Sequence, residues 1–370
     1  MQKINRVVIV DVINTFQKID AAVHNLEELR SLIATYHGID VVDVIQHRSR
    51  PDKATFIGSG KVEELVGIVK NKKIDIVVVN AIVNPGVLFN LTQYLWDANS
   101  SIQVWDRVDL ILNIFDKHAF TAESKLQIEL ARMQHMGPRI YGLGLTYFSR
   151  QSGGIGTKGQ GETNIELMKR HWRTQMKNKR DELDKLSRQH MLQIERRKFN
   201  NMKSISIVGY TNAGKTSLFN LLTKRKKTVE NALFVTLDSV TGKIYLPAKK
   251  EEVSISDTIG FIKDLPTSLI NSFKSTLLES VNADLIIHVI DIKDPEMVEK
   301  INVVKKILRE IDVRSKKIIY VFNKIDAFTG DGEVMLKKIK ETYSAYSPQY
   351  ISVTTNYGIK KLIEQIEKEI

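Results

Sequence analysis

The sequence predicts an α/β protein in three parts: a small N-terminal α/β domain over residues 1–118, a long helical hairpin with a glycine-rich loop over 119–200, and a P-loop domain with a doubly wound, mostly parallel sheet over 201–370. Three observations predict it. β-branched runs alternate with helix-spaced segments in the first and last parts of the chain, the pattern of parallel sheets with helical crossovers. A long middle stretch carries apolar residues at the α-helical period and is otherwise strongly basic. Gly209-Tyr210-Thr211-Asn212-Ala213-Gly214-Lys215-Thr216 matches G-x-x-x-x-G-K-[ST] between an apolar run and a helix-forming segment.

Composition sets the bounds. At 370 residues there is room for two or three domains, and the formal charge of +12 points to a polyanionic partner, with generic surface lysine as the plain alternative. There is no cysteine, which excludes disulfides, thiolate metal sites and cysteine nucleophiles and fits a reducing compartment. The apolar run within Met1–Val12 is too short and interrupted for a signal peptide, and no stretch approaches the length of a membrane span. A cytoplasmic monomer, not an integral membrane protein, is expected. Membrane-surface association is a lesser alternative, disfavoured by the lack of an amphipathic terminal helix or lipidation signal.

In the N-terminal part, Val7–Val10, Val41–Ile45 and Ile74–Val79 read as strands, and residues 23–36 and 61–70 as helices. The turn Gly58-Ser59-Gly60-Lys61 invites a second P-loop reading. It lacks the leading glycine, because Thr55 stands there, and Val62 replaces the hydroxyl residue, so a helix start is the better reading. Residues 121–136 form a helix capped by Thr121 and expected to stop at Gly137-Pro138. The glycine-dense loop Gly153–Gly161 follows, flanked by Arg150 and Lys158, and suits either close approach to phosphates or a flexible link.

From Glu162 to about Asn200 one long helix is expected. Ile165, Met168, Trp172, Met176, Leu183, Leu186 and Ile194 form its stripe, which should pack on the helix at 121–136. Lys169, Arg170, Arg173, Lys177, Lys179, Arg180, Lys185, Arg188, Arg196, Arg197 and Lys198 crowd the other face, only partly offset by Asp181, Glu182, Asp184 and Glu195. A solvated salt-bridged face is one reading, and the imbalance of sign favours an RNA-facing one.

The last part is organised around the P-loop. Its glycines let backbone N–H groups converge on phosphate, Lys215 reaches the β- and γ-phosphates, and the Thr216 hydroxyl ligates Mg²⁺, with Ser217 beside it. The polar segment from Lys224 leads to Phe234-Val235-Thr236-Leu237-Asp238, where Thr236, with Thr241 as second choice, is the candidate sensor of γ-phosphate and Mg²⁺. Asp257-Thr258-Ile259-Gly260 ends a strand. Asp257 would hold Mg²⁺ and the Gly260 N–H would meet the γ-phosphate, giving Lys215, Thr236 and Gly260 as the catalytic set and Thr216, Thr236 and Asp257 as the metal set. The strand Leu285–Ile290 contains His288, read as a core histidine. Asn323-Lys324-Ile325-Asp326 reads the base, because a carboxylate at Asp326 accepts from guanine N1–H and the exocyclic amine together, a donor pair that adenine lacks. Asn323 would brace the loop and the Lys324 stem would lie along the base. Ser352-Val353-Thr354 stands where related loops have Ser-Ala-Lys, and residues 358–369 close the chain as a helix. Phe261, after Gly260, occupies the place of a water-positioning glutamine, which predicts slow intrinsic hydrolysis. Asn212 either merely shapes the loop or, because asparagine at this place resembles K⁺-dependent GTPases, marks dependence on K⁺.

These residues resemble the HflX-type GTPases of the Obg–HflX branch over nearly the whole length. The carrying segments are Thr55–Leu65, Lys125–Ala131, Gly153–Thr163, Gly209–Asn220, Phe234–Asp238 and Asp257–Ile262. The resemblance implies a P-loop GTPase domain with GTP/GDP and Mg²⁺ as cofactors. It implies binding to the large ribosomal subunit and its rRNA near the peptidyl-transferase centre, and hydrolysis stimulated by that subunit. Splitting or rescue of stalled ribosomes is the implied role. Subunit assembly is the alternative, or RNA binding with a structural nucleotide. Many bacterial members continue beyond the closing helix, so contacts made by that extension are expected to be missing.

Overall fold

Val7, Val8, Ile9 and Val10 are all buried, as befits the inner strand of a parallel sheet with both faces covered. They lie in β1 (Asn5–Ile13), followed by α1 (Ile19–Thr35), β2 (Gly38–His47), α2 (Ser59–Lys72), β3 (Ile76–Val79), α3 (Pro85–Trp96), β4 (Gln103–Trp105) and α4 (Arg107–His118). The strands pair in parallel in the order β2-β1-β3-β4, with a bulge between Val7 and Val8 in the pairing with β2. The computed structural model describes residues 5–15, 19–151, 158–225, 239–263, 269, 273, 277–311, 313, 316–328, 332–344 and 348–370. It divides into two compact units, Met1–Lys117 with Leu126–Glu182, and His118–Lys125 with Leu183–Ile370.

In the first unit, Ile57, Leu65, Leu91 and Leu95 from α2, α3 and the preceding turn pack on Val8, Val10, Val77 and Val79. The Gly58–Lys61 turn is the start of α2, with Gly58 at the N-cap. β4, α3 and α4 were not anticipated from the sequence. The first residues of α4 carry reciprocal caps: the Asp109 N–H donates to Asp106 Oδ1 at 2.9 Å and the Asp106 N–H to Asp109 Oδ2 at 3.2 Å. His135 Nε2 lies 3.1 Å from Asp106 Oδ1.

Two long helices continue the chain, α5 (Ala122–Gln151) and α6 (Lys158–Phe199). The expected stop at Gly137-Pro138 is not there, and α5 runs straight through it. Packing supplies the reason. The bare Gly137 admits the Trp172 indole, since a Cβ there would lie 3.2 Å from its Nε1, and that N–H donates to the Met133 carbonyl at 3.3 Å. A turn held by a neighbouring helix survives a proline that would end an isolated one. α6 begins at Lys158, earlier than expected, so Gly159 and Gly161 are helical, and residues 152–157 lie outside the described set. Its stripe has the expected period: Leu183 and Ile194 are buried and Trp172, Met176 and Leu186 half-buried, whereas Met168 is exposed.

The second unit holds β5 (Ser204–Gly209), α7 (Lys215–Thr223), β6 (Val240–Leu246), β7 (Glu251–Asp257), α8 (Leu278–Asn282), β8 (Leu285–Asp291), α9 (Met297–Glu310), β9 (Lys317–Asn323), α10 (Gly332–Thr342), β10 (Gln349–Tyr350) and α11 (Ile359–Glu369). Its sheet has the order β10-β9-β8-β5-β7-β6, parallel except for β6 against β7. Leu218, Phe219 and Leu222 of α7 and Leu362 and Ile366 of α11 share one core with Ile205, Ile207, Leu285, Ile287, Ile319 and Val321. His288, in β8, is 1% exposed, and burial holds its imidazole down to about 3, so it is a neutral core residue as expected. No helix among the described residues is long and apolar enough to cross a membrane.

Candidate nucleotide site

β5, β7 and β9 all end on the same edge of the second sheet, where open α/β sheets hold their ligands. Each delivers one predicted motif. After Gly209 the chain turns tightly, with Asn212 left-handed at φ 61°, a conformation that asparagine tolerates better than most residues. Gly214 is also left-handed at φ 95°, and a Cβ there would sit 2.3 Å from Asn323 Nδ2. Only glycine lets the end of β9 brace the Gly209–Thr216 loop this closely.

Lys215 opens α7 and is 7% exposed. Its Nζ donates to the Tyr210 carbonyl at 2.7 Å, and burial lowers its pKa to about 8 against the attraction of Asp257. The neighbouring Thr216 hydroxyl donates to Asp257 Oδ2 at 2.8 Å, while Ser217 follows in the first turn of α7. A hydroxyl and a fully buried carboxylate in contact are hard oxygen donors, the set that Mg²⁺ selects. Thr258 and Ile259 turn inward: Thr258 Oγ1 donates to the Ile207 carbonyl at 2.7 Å and Ile259 is 3% exposed. They are left only their backbone to offer a ligand. Gly260 lies against Thr211 and Lys215, with a Cβ there 2.8 Å from Thr211 Cγ2 and 3.1 Å from Lys215 Nζ.

The Asn323–Asp326 motif is tied to the same loop. Asn323 Nδ2 donates to the Ala213 carbonyl at 3.0 Å, and its Oδ1 accepts from the Val353 N–H at 3.2 Å. Lys324 Nζ reaches the Asn212 carbonyl at 2.9 Å and Asp291 Oδ2 at 2.6 Å. Asp291 had no place in the sequence reading, because nothing in local spacing relates the end of β8 to residue 324. Ile325 and Asp326 form a single 3₁₀ turn, and the Asp326 side chain is exposed. Ser352 is fully buried and its Oγ accepts from the Thr355 N–H at 3.1 Å, which shapes the loop through Val353 and Thr354. Phe234, Val235 and Thr236 lie outside the described residues. Thr241, the second choice, sits in β6 opposite Ser256 and lines a cavity with Glu279 and Arg197, not the phosphate loop.

Comparison with known proteins finds relatives over most of the chain. Residues 204–324 fit the family model described as a 50S ribosome-binding GTPase, 118–197 the middle region of GTP-binding GTPases, and 23–116 their N-terminal region. A GTPase HflX from Caldanaerobacter subterraneus is 40% identical over 346 residues, covering 93% of this chain and 77% of the relative. The GTPase HflX of Escherichia coli K12 is 34% identical over 352 residues, covering 95% and 80%.

The chain belongs to the HflX family of GTPases.

Among solved structures, SsGBP in complex with GDP aligns over 99% of this chain and 98% of its own, at 25% identity and a TM-score of 0.55. An HflX GTPase hydrolyses GTP, so the strand ends described above are the surface on which binding and hydrolysis are to be sought.

Proposed function

We propose that this chain binds the large ribosomal subunit through its basic middle region and uses GTP hydrolysis to time that attachment, splitting or rescuing stalled ribosomes. The observation that carries the reading is the convergence of Lys215, Thr216 and Asp257 with Asn323, Lys324 and Asp326 on one sheet edge, in a chain whose middle helix is covered in cations. The Gly209–Thr216 loop cradles the phosphates, Lys215 neutralises their charge, and Asp326 selects guanine. Thr216 and Asp257 would hold Mg²⁺, which supplies charge stabilisation on the phosphates when bound. Phe261 is 2% exposed and apolar, so it cannot orient the attacking water, and intrinsic hydrolysis is slow until a partner or ion completes the site. Asn212 is exposed and its αL backbone already accounts for the residue type; its side chain is also where K⁺ would be drawn in. Equal turnover in KCl and NaCl would remove the K⁺ role.

On α6 the exposed Arg170, Arg173, Lys177, Arg180, Lys185, Arg188, Arg196 and Lys198 provide the phosphate-contacting face. Arg197 does not belong to it, because its guanidinium is spent on Glu279 and Ser254 within the second unit. The test is the GTPase rate with and without purified large subunits across a salt series. Stimulation that fades steeply with salt is expected, and a rate indifferent to the subunit would refute the reading. Co-sedimentation with mature subunits, not precursor particles, separates rescue from assembly.

A further inference from the structure

The residues just after Gly260 are stitched to the phosphate loop. The Phe261 N–H donates to the Gly209 carbonyl at 3.1 Å and the Thr211 N–H donates to the Phe261 carbonyl at 2.8 Å, so Tyr210 and Phe261 form a parallel bridge. A side chain extends the seam by one bond: the Lys263 N–H donates to the Tyr210 hydroxyl at 2.8 Å. The ring that carries this hydroxyl is fixed. Tyr210 is 7% exposed, and Lys300 Nζ lies 5.0 Å from the ring centroid. Lys263 is tied a second time, its Nζ pairing with Glu299 Oε1 of α9 at 2.7 Å.

We propose that the Tyr210 hydroxyl is a positioning group for the terminal phosphate of GTP. By holding Lys263, it keeps residues 261–263 on the phosphate loop and so keeps Gly260 beside Lys215, where a Cβ would come within 3.1 Å of Nζ. The Gly260 N–H is then in place before the nucleotide arrives, and less of the segment has to be ordered on binding. GDP has no third phosphate and makes no use of Gly260. The bond therefore acts on triphosphate affinity and hydrolysis and leaves diphosphate affinity alone. This rests on the nucleotide-site reading above. It adds to it a discriminating role that the spacing of the P-loop motif does not require, since the second position of that motif is unrestricted.

Tyr210→Phe keeps the ring and its cation above, and removes the hydroxyl that accepts from the Lys263 N–H. Affinities for GDP and for the non-hydrolysable analogue GppNHp, with the single-turnover rate on GTP, make the test on the full chain. The expected result is unchanged GDP affinity, GppNHp affinity weaker by about five- to tenfold, as for one hydrogen bond, and a single-turnover rate lowered in the same sense. Glu299→Gln, which loosens Lys263 from the other side, should give a smaller loss in the same direction. Equal weakening for both nucleotides would show a merely structural ring and overturn the proposal, as would no change in either. If the unaltered chain bound neither nucleotide, the site assignment itself would fall first.

Discussion

Lys215 shows how one side chain links burial to chemistry. Its ammonium is held near pH 8 without a ligand because burial disfavours the charge, and phosphate oxygens would restore the protonated form. Nucleotide binding at about pH 8.5 should therefore take up most of a proton, an uptake that shrinks as pH falls through about 8 and is nearly gone by about pH 7. Titration calorimetry in buffers of different ionisation enthalpy measures it directly; a proton count of zero at pH 8.5 would contradict this account. Asp326 offers a second handle. In the proposed site its exposed carboxylate would accept two guanine donors, and Asp326→Asn should weaken GTP binding by about 2–3 kcal/mol, the value of charge-assisted hydrogen bonds, without altering the fold. Retained affinity in a filter or fluorescence titration would move base recognition elsewhere. At this scale the P-loop, Asp257 and Asn323–Asp326 were legible because each is a short motif in a fixed order along alternating elements. Tyr210 with Lys263, and Lys324 with Asp291, were not. Each joins residues far apart in the chain, and only the folded sheet brings them together.

The elements repeat that lesson with longer reach. Periodicity located α6 and most strands of both sheets, though not β4 or β6, and it put a stop in α5 at Gly137-Pro138, where the Trp172 contact carries the helix on. It also counted Arg197 among solvent-facing cations. In the second unit, Arg197 is bidentate on Glu279 of α8, at 2.5 and 3.2 Å, and His190 Nε2 meets the same carboxylate at 3.1 Å. Glu123 lies 3.7 Å from His190 Nδ1, so two carboxylates and two cations lock the C-terminal half of α6 to α8. Glu123, then Glu279, raise the His190 pKa from 6.5 to about 9. Burial pushes Glu279 up, yet His190 and Arg197 together bring it below its ordinary value. The sign follows: the His190 contribution is complete below about pH 6.5 and is lost as pH rises through about 9. Glu279→Gln should lower stability by about 2–4 kcal/mol, because it leaves Arg197 without its buried partner, and should flatten the fall in Tm between pH 7 and 9.5. Thermal melts across that range check both, and an unchanged pH profile would mean that His190 is not held as described.

For the whole molecule, the net charge of +12 and the exposed basic residues of α6 stand apart from the nucleotide edge in sequence, and the proposed switch joins them. Charge alone would give salt-sensitive, nucleotide-blind attachment to any RNA; a timed GTPase requires that attachment change with the phosphate count. The most direct measurement is co-sedimentation of the full chain with purified large ribosomal subunits at near-physiological salt, with no nucleotide, with GDP and with GppNHp. The account predicts retention with GppNHp at least tenfold stronger than with GDP, on the order of 1.4 kcal/mol of coupling. Equal retention in all three states would contradict it.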